Sequence, residues 1–130
     1  MVEISDSTLR DVAVAVYSPN SPRIYYNPVL MQRFSPALQR FFLAHEYAHI
    51  ALQHTRSSAL RAEPGEQDRL LQQKELEADC QAATRLGASE PAVALEAAWF
   101  FAGMGSHRFD TEHPTGAQRA ARIMSCLPQR

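Results

Sequence analysis

Apolar residues recur with two different spacings along the chain, and the change of spacing separates a β-rich start from a longer helical part. Residues 12–17 (VAVAVY) are valine-rich and alternating, and residues 23–27 (RIYYN) are rich in β-branched and aromatic side chains. Both patterns predict short strands. The turn residues at 18–22 (SPNSP) stop the first strand and favour an antiparallel return of the second, which predicts a small sheet.

After residue 35 the apolar residues recur every three or four positions, which is typical of helices. Ser35 and Pro36 form a helix start, with a capping hydroxyl followed by a proline at the first helical position. This first helix is expected to extend to about His54. Its mainly apolar face includes His45 and His49, so that face must meet the core.

Residues 55–68 predict a polar connecting loop, and a second helix is predicted from about residue 67 to residue 86, with Gly87 as a left-handed cap. A third helix opens at residues 89–92 and closes near residues 103–105; we expect its aromatic residues in the core. The last helix begins near Pro114 and stops before Pro128, which cannot continue it. The pattern predicts a helix-dominated α+β domain.

Size, composition and charge narrow the function classes. The chain has 130 residues, a length typical of one compact domain spanning residues 1–130. Hydrophobic residues make up 45% and charged residues 21%, which excludes wholesale disorder. The net charge of -1 leaves no basic field for nucleic acid. The longest apolar runs are shorter than the roughly 20 residues of a membrane span, so we expect no transmembrane segment.

A metal-binding pattern lies on the first predicted helix, at residues 45–49 (HEYAH). In this HExxH the two histidines lie about 40° apart around the helix axis, so both imidazoles can reach one metal ion. Glu46 lies beside them, where its carboxylate can accept a proton from a zinc-activated water. The pattern predicts a zinc site with His45 and His49 as ligands and Glu46 as general base.

The third zinc ligand is expected on the second helix. His54 falls one residue short of the position that an HExxHxxGxxH site requires, so it is interpreted as a helix C-terminal residue that favours the dipole. Glu75 and Asp79 are four residues apart and share a helix face. We therefore expect Glu75 to bind the zinc and Asp79 to hydrogen-bond the outer N–H of a ligand histidine. Glu77 points elsewhere and is expected to be solvated.

The cysteines Cys80 and Cys126 allow one disulfide or two reduced thiols. Both lie on predicted helices near the candidate site, and a bridge would stabilise the fold by roughly 3 to 4 kcal/mol. We expect the bridge and, with it, a periplasmic or secreted protein. Residues 1–8 contain no export signal, so such a signal would have been removed already. A cytoplasmic protein with reduced thiols is the alternative.

Three motifs together resemble a known family. HEYAH at 45–49, ELEAD at 75–79 and HPTGAQR at 113–119 stand in the order found in the gluzincin metallopeptidases related to HtpX and the CAAX prenyl endopeptidases. Residues 22–28 (PRIYYNP) resemble the strand ahead of that family's zinc helix, so the likeness covers about residues 20–125. Because the chain shows no membrane span, it is most similar to the soluble minimal members called minigluzincins.

The resemblance implies a role for each matched residue. One zinc ion per chain would be held by His45, His49 and Glu75. Glu46 would act as general base and acid, and His113 would donate to the oxyanion of the tetrahedral intermediate. Asp79 would support a ligand histidine, and Arg119 would order the region by pairing with a carboxylate. Some small members of this family are held as inactive zymogens.

These expectations combine into zinc-dependent hydrolysis of a peptide or unfolded protein. An extended substrate is expected to add as a strand along the edge formed by residues 23–27. Three alternatives remain open: a zinc-stabilised module that binds peptides without cutting them, a latent or inactive relative, and an intracellular peptidase resembling those that cleave repressors. Cys80 faces away from Glu75 and Asp79 on the helix, which disfavours a cysteine-ligated metal.

Overall fold

The computed structural model describes residues 2–17, 20–54 and 63–128, and they form the predicted helix-dominated α+β fold. Part of the predicted turn at 18–22 and most of the predicted loop at 55–68 lie outside these residues. The strands are β1 (Val2–Ser5), β2 (Ala13–Val16) and β3 (Arg23–Tyr26). The helices are α1 (Pro28–Met31), α2 (Pro36–Ala51), α3 (Gln67–Ser89), α4 (Pro91–Met104) and α5 (Gly116–Cys126), with a short 3-10 helix at Pro64–Glu66 before α3.

The sheet has the order β1-β3-β2. β2 and β3 pair antiparallel as predicted, with Ala13 opposite Tyr26. β1 was not predicted, because four mostly exposed residues carry little pattern of their own; it pairs parallel with β3. Both edges of β3 are therefore hydrogen-bonded, and the prediction of a substrate along residues 23–27 is wrong. The edge that remains at the site is that of β2.

Helix α2 starts as predicted, with the Ser35 hydroxyl accepting from the Leu38 amide and Pro36 at the first position. It ends at Ala51, earlier than the predicted residue 54. Gln53 adopts a positive φ of 58°, and this left-handed residue turns the chain back. This turn was not predicted, because glutamine seldom takes that conformation.

Helix α3 does not end at Gly87 as predicted but continues to Ser89. Gly87 has another purpose there, because a Cβ at this position would lie 2.4 Å from Cδ of Pro128. The glycine thus allows the segment after α5 to pack directly on α3. A disulfide between Cys80 and Cys126, with the Cα atoms 5.3 Å apart, joins the same two helices.

Helices α4 and α5 also depart from expectation at single residues. α5 begins two residues after Pro114, because Thr115 is its cap and forms a reciprocal capping box with Gln118. Trp99 on α4 was expected in the core but is 71% exposed, whereas Phe101 is fully buried. A helix this apolar buries one face completely and still leaves its opposite face in solvent.

The core lies between helices α2, α3, α4 and α5. Its fully buried aromatic residues are Phe41 and Phe101, and alanines at 82, 83, 94 and 97 let the helices approach closely. Among the helices of the described residues, none has the length and apolar character that a membrane span requires. Packing α3 across α2 brings residues 75–79 opposite residues 45–49, which positions the candidate site.

Candidate metal centre

Three potential metal ligands meet where α2 and α3 face each other. Nε2 of His45 lies 2.7 Å from a carboxylate oxygen of Glu75 and 3.1 Å from Nε2 of His49. Nε2 of His49 lies 3.3 Å from the other oxygen of Glu75. In the described part of the chain this is the group whose nitrogen and oxygen atoms converge as a metal site requires. The α2 spacing and the packing of α3 together produce this convergence.

The inner side of the centre is a buried ionic network. Nδ1 of His45 lies 2.8 Å from Oδ1 of Asp79, and because a carboxylate accepts only, Nδ1 carries the proton. Arg119 donates to both oxygens of Asp79, each at 2.8 Å, and stacks 4.0 Å above the ring of Phe101. Burial opposes ionisation of Asp79, but Arg119 and His45 together outweigh burial and hold the pKa of Asp79 below its usual value. Asp79 is therefore a fixed acceptor that orients His45.

The outer side of the centre is formed by a third histidine. Nδ1 of His49 lies 2.9 Å from Nδ1 of His54, and Nε2 of His54 lies 2.9 Å from Oε2 of Glu77. Glu77 is partly exposed to solvent, as expected, but its carboxylate also contacts His54, which was not predicted. His54 is likewise more than a helix-terminal charge. Its contact with His49 follows from the left-handed turn at Gln53.

Glu46 lies beside the three ligands, with Oε2 3.9 Å from Nε2 of His45. Its other oxygen accepts a hydrogen bond of 2.9 Å from the amide of Ala15 on β2. Burial, assisted by the negative charge of Glu75, raises the pKa of Glu46 to about 7, although His45 acts in the opposite direction. A carboxylate with a pKa near neutrality is suited to accept and return a proton.

His113 reaches the same cleft from the segment before α5, with Nε2 4.0 Å from Oε2 of Glu75. Its Nδ1 lies 2.7 Å from Oδ1 of Asp110. Because the carboxylate accepts from Nδ1, the Nε2 atom is left to face the cleft. Asp110 was not identified from the sequence; its position three residues before His113 was the available signal.

The residues of this centre fit a divalent metal ion. Two imidazoles and one carboxylate are the donor set of many catalytic zinc sites. With the Nδ1 protons facing other partners, the Nε2 atoms of His45 and His49 face the same point, where each can offer a lone pair to a metal once it carries no proton. Burial opposes charge on His45, but Glu75 and Asp79 outweigh it and raise the pKa of His45 to about 10. A positive charge is therefore favoured at this point.

The pKa of Glu75 indicates the same preference. Burial opposes its ionisation, but His45 and His49 outweigh burial and hold the pKa well below the usual value. For His49, burial is the main cause of a lowered pKa, so this imidazole is held neutral. One ionised carboxylate and one neutral imidazole are ready to bind a cation.

The centre opens into a cleft of about 550 Å³. Strand β2 forms one wall with residues 13–15, and the segment of Phe109 to His113 forms another. Of the predicted site residues, Cys80 and Cys126 lie apart from the cleft and are bonded to each other. The site residues that sequence reasoning missed are His54, Asp110 and the Ala15 amide.

A protein-family model described as peptidase U49 matches residues 24–129. The match extends from β3 to beyond the end of α5, so it contains each side chain of the metal centre described above. No curated protein and no solved structure matches the chain.

Proposed function

The chain belongs to the peptidase U49 family, and we propose that it is a zinc-dependent endopeptidase. The observation that carries this proposal is the convergence of His45 Nε2, His49 Nε2 and the Glu75 carboxylate within 3.3 Å of one another, beside Glu46. These three side chains would hold one zinc ion per chain, and the cleft beside them would admit the water or substrate that catalytic zinc requires.

The chemistry divides between the metal and the surrounding side chains. When bound, zinc would lower the pKa of a water molecule and polarise the substrate carbonyl. Glu46 accepts the water's proton on a carboxylate oxygen and delivers it to the leaving amine. His113, held by Asp110, would donate from Nε2 to the developing oxyanion when both of its ring nitrogens carry a proton. Asp79 and Arg119 keep His45 oriented throughout.

The substrate that suits this cleft is an extended peptide or an unfolded protein segment. In the β2–β3 pairing, alternate residues of β2 direct their backbone groups away from β3, and the Ala15 amide already bonds Glu46 there. An extended chain added along β2 would use these groups. A carbonyl of this substrate would accept the hydrogen bond of the Ala15 amide in place of Glu46. The Glu46 carboxylate would then be free for catalysis.

Two finer assignments are part of the same proposal. The ligand set of two histidines from one helix and a glutamate from a later helix supports a gluzincin of the minimal kind, related to HtpX and the CAAX prenyl endopeptidases. The Cys80–Cys126 disulfide supports an oxidising compartment, so the protein would be periplasmic or secreted. Gel mobility of protein trapped with a thiol-alkylating reagent in cells tests the second assignment, and free thiols there would contradict it.

The experiment that tests the proposed function separates metal binding from catalysis. Purified wild type, Glu46→Gln and His49→Ala are compared by elemental mass spectrometry and by cleavage of a quenched fluorescent peptide mixture. We expect about one zinc in wild type and in E46Q, and at least a ~100-fold loss of cleavage in E46Q because the general base is absent. H49A should lose both zinc and cleavage.

His107→Ala is the matched control, since this histidine is exposed and makes no contribution to the metal centre. It should keep zinc and cleavage unchanged. Zinc binding without cleavage in wild type would favour the peptide-binding module or a latent enzyme. Cleavage by E46Q at the wild-type rate would remove Glu46 as the base.

A further inference from the structure

We propose that His54 and Glu77 form a hydrogen-bonded relay that holds His49 in the tautomer able to bind the metal, which makes His54 a positioning residue. The inference rests on the proposed zinc centre and adds to it two residues outside the ligand set. Three separate features support it: the backbone turn that places His54, the geometry of the relay, and the direction in which its protons must point.

The backbone turn after α2 places His54 over the last helical turn. The amide of Gln53 donates to the carbonyl of Ile50 at 3.0 Å, and the amide of His54 donates to the carbonyl of His49 at 2.9 Å. These two bonds define a Schellman motif, in which the residue after the cap is left-handed. That residue is usually glycine, yet here it is Gln53 with φ of 58°. The surrounding contacts therefore hold a strained residue in place.

The proton directions in the relay follow from the carboxylate at its end. Glu77 can only accept, so Nε2 of neutral His54 carries a proton and its Nδ1 presents a lone pair. That lone pair lies 2.9 Å from Nδ1 of His49 and must meet an N–H there. With its proton on Nδ1, His49 has a free lone pair on Nε2, the atom that faces Glu75 and His45.

The relay has a counterpart on the other ligand histidine. Asp79 accepts directly from Nδ1 of His45 and selects the same tautomer there. Carboxylate partners of this kind commonly orient metal-binding histidines. On the His49 side, Nδ1 contacts His54 among the residues that the structure describes, and His54 in turn contacts the Glu77 carboxylate. The two ligands thus reach the same tautomer by a direct and an indirect contact.

The test measures zinc affinity of the full chain by competition with a chromophoric chelator, using zinc chloride as the probe. His54→Ala removes the acceptor, and we expect about 10- to 100-fold weaker binding. His54→Asn places a side-chain oxygen close to the position of the accepting Nδ1, so it should restore near-wild-type affinity. In the protein that keeps His54, Glu77→Gln should weaken zinc binding. In H54N the same change should add no further loss, because the introduced amide oxygen accepts the His49 hydrogen bond without any contact to Glu77.

Glu66→Gln is the matched control for charge. Glu66 directly precedes α3 and pairs with Arg69 in the first turn of that helix, away from the relay. This variant should therefore bind zinc as wild type does. A second readout is the scalar coupling between the two Nδ1 nuclei of His49 and His54 in zinc-loaded, 15N-histidine-labelled wild type. We expect this coupling, because an N–H···N hydrogen bond transmits it.

The outcomes separate this inference from the function on which it rests. Wild type that binds no zinc would overturn both. Wild type that binds zinc, with H54A and H54N equally strong or equally weak, would overturn the relay and leave the zinc centre standing. Absence of the coupling in wild type would overturn the relay even if H54A failed to fold.

Discussion

The two ligand histidines of α2 are held by unlike surroundings. His45, on the inner side, is 5% exposed and contacts Asp79, which is fully buried and paired with Arg119. His49, on the outer side, contacts His54, whose partner Glu77 has a side chain 40% exposed. The inner arrangement is ionic and part of the core, whereas the outer arrangement is neutral at its centre and opens to solvent.

The difference shows that the two histidines of one short motif have different kinds of support. The contacts of His45 also stabilise the fold, whereas those of His49 mainly affect metal binding. A charged network in the core is costly to break, because removal of one partner leaves the other charged and buried. An exposed contact contributes little to folding, because water replaces it. We therefore expect inner changes to affect the fold and outer changes to affect mainly the metal.

The largest effect should come from Asp79→Asn, which leaves Arg119 without an ionised partner. In the metal-free protein we expect a loss of about 3 to 5 kcal/mol in the free energy of unfolding. Glu77→Gln is the matched isosteric change, two residues away on the same helix, and it should cost less than about 1 kcal/mol. Urea unfolding of both variants measures the difference; equal losses would break the comparison between the two sides.

The next largest effect concerns the disulfide, which joins the helix of Asp79 to the helix of Arg119. The Cys80→Ser, Cys126→Ser double variant should lose about 3 to 4 kcal/mol, because the unfolded chain is no longer cross-linked. Urea unfolding under non-reducing conditions checks this value against wild type. If the two helices depend on the bridge for their register, D79N and the double variant should destabilise by less than the sum of their separate effects.

The smallest effect concerns the number of protons that the two ligand histidines release when zinc binds. The pKa of metal-free His45 is raised to about 10 by Glu75 and Asp79, so at pH 8 it is protonated, and zinc must displace that proton. The pKa of His49 is lowered by burial, so it has no proton to release from Nε2. Zinc affinity should therefore rise about tenfold per pH unit up to about pH 7, above which ionisation of a metal-bound water adds to the slope.

Calorimetric titration of zinc in buffers of different ionisation enthalpy counts the protons released. One proton per zinc is expected from the inner histidine, and ionisation of a metal-bound water can add a second proton at pH 8. Release of more than two would mean that the outer histidine is also charged before binding, and the contrast between the sides would be lost.

Local spacing was enough to predict much of this molecule. The period of apolar residues identified α2 to α5 and the pairing of β2 with β3, because these patterns depend on neighbours in sequence. The same helical arithmetic put His45 and His49 on one face of α2 and Glu75 and Asp79 on one face of α3. The structure brings these four side chains together at hydrogen-bond distances.

Other features depended on tertiary contacts and had no local signal. Gly87 resembled a helix cap in sequence, but its missing side chain allows Pro128, 41 residues later, to pack closely against α3. β3 lies between β1 and β2, so the sheet edge that borders the cleft belongs to β2. Such contacts join residues far apart in sequence, which short-range periodicity does not describe.

The contrast is sharpest at the metal centre. The order of amino acids predicts which residue types stand one helical turn apart, because α-helix geometry is local and uniform. The contact of Arg119 with Asp79 and the approach of His54 to His49 at the Gln53 turn became visible only in the folded chain. These two contacts depend on how the helices pack and on a left-handed residue that the surrounding contacts stabilise. Neither feature can be read from the spacing of the motif.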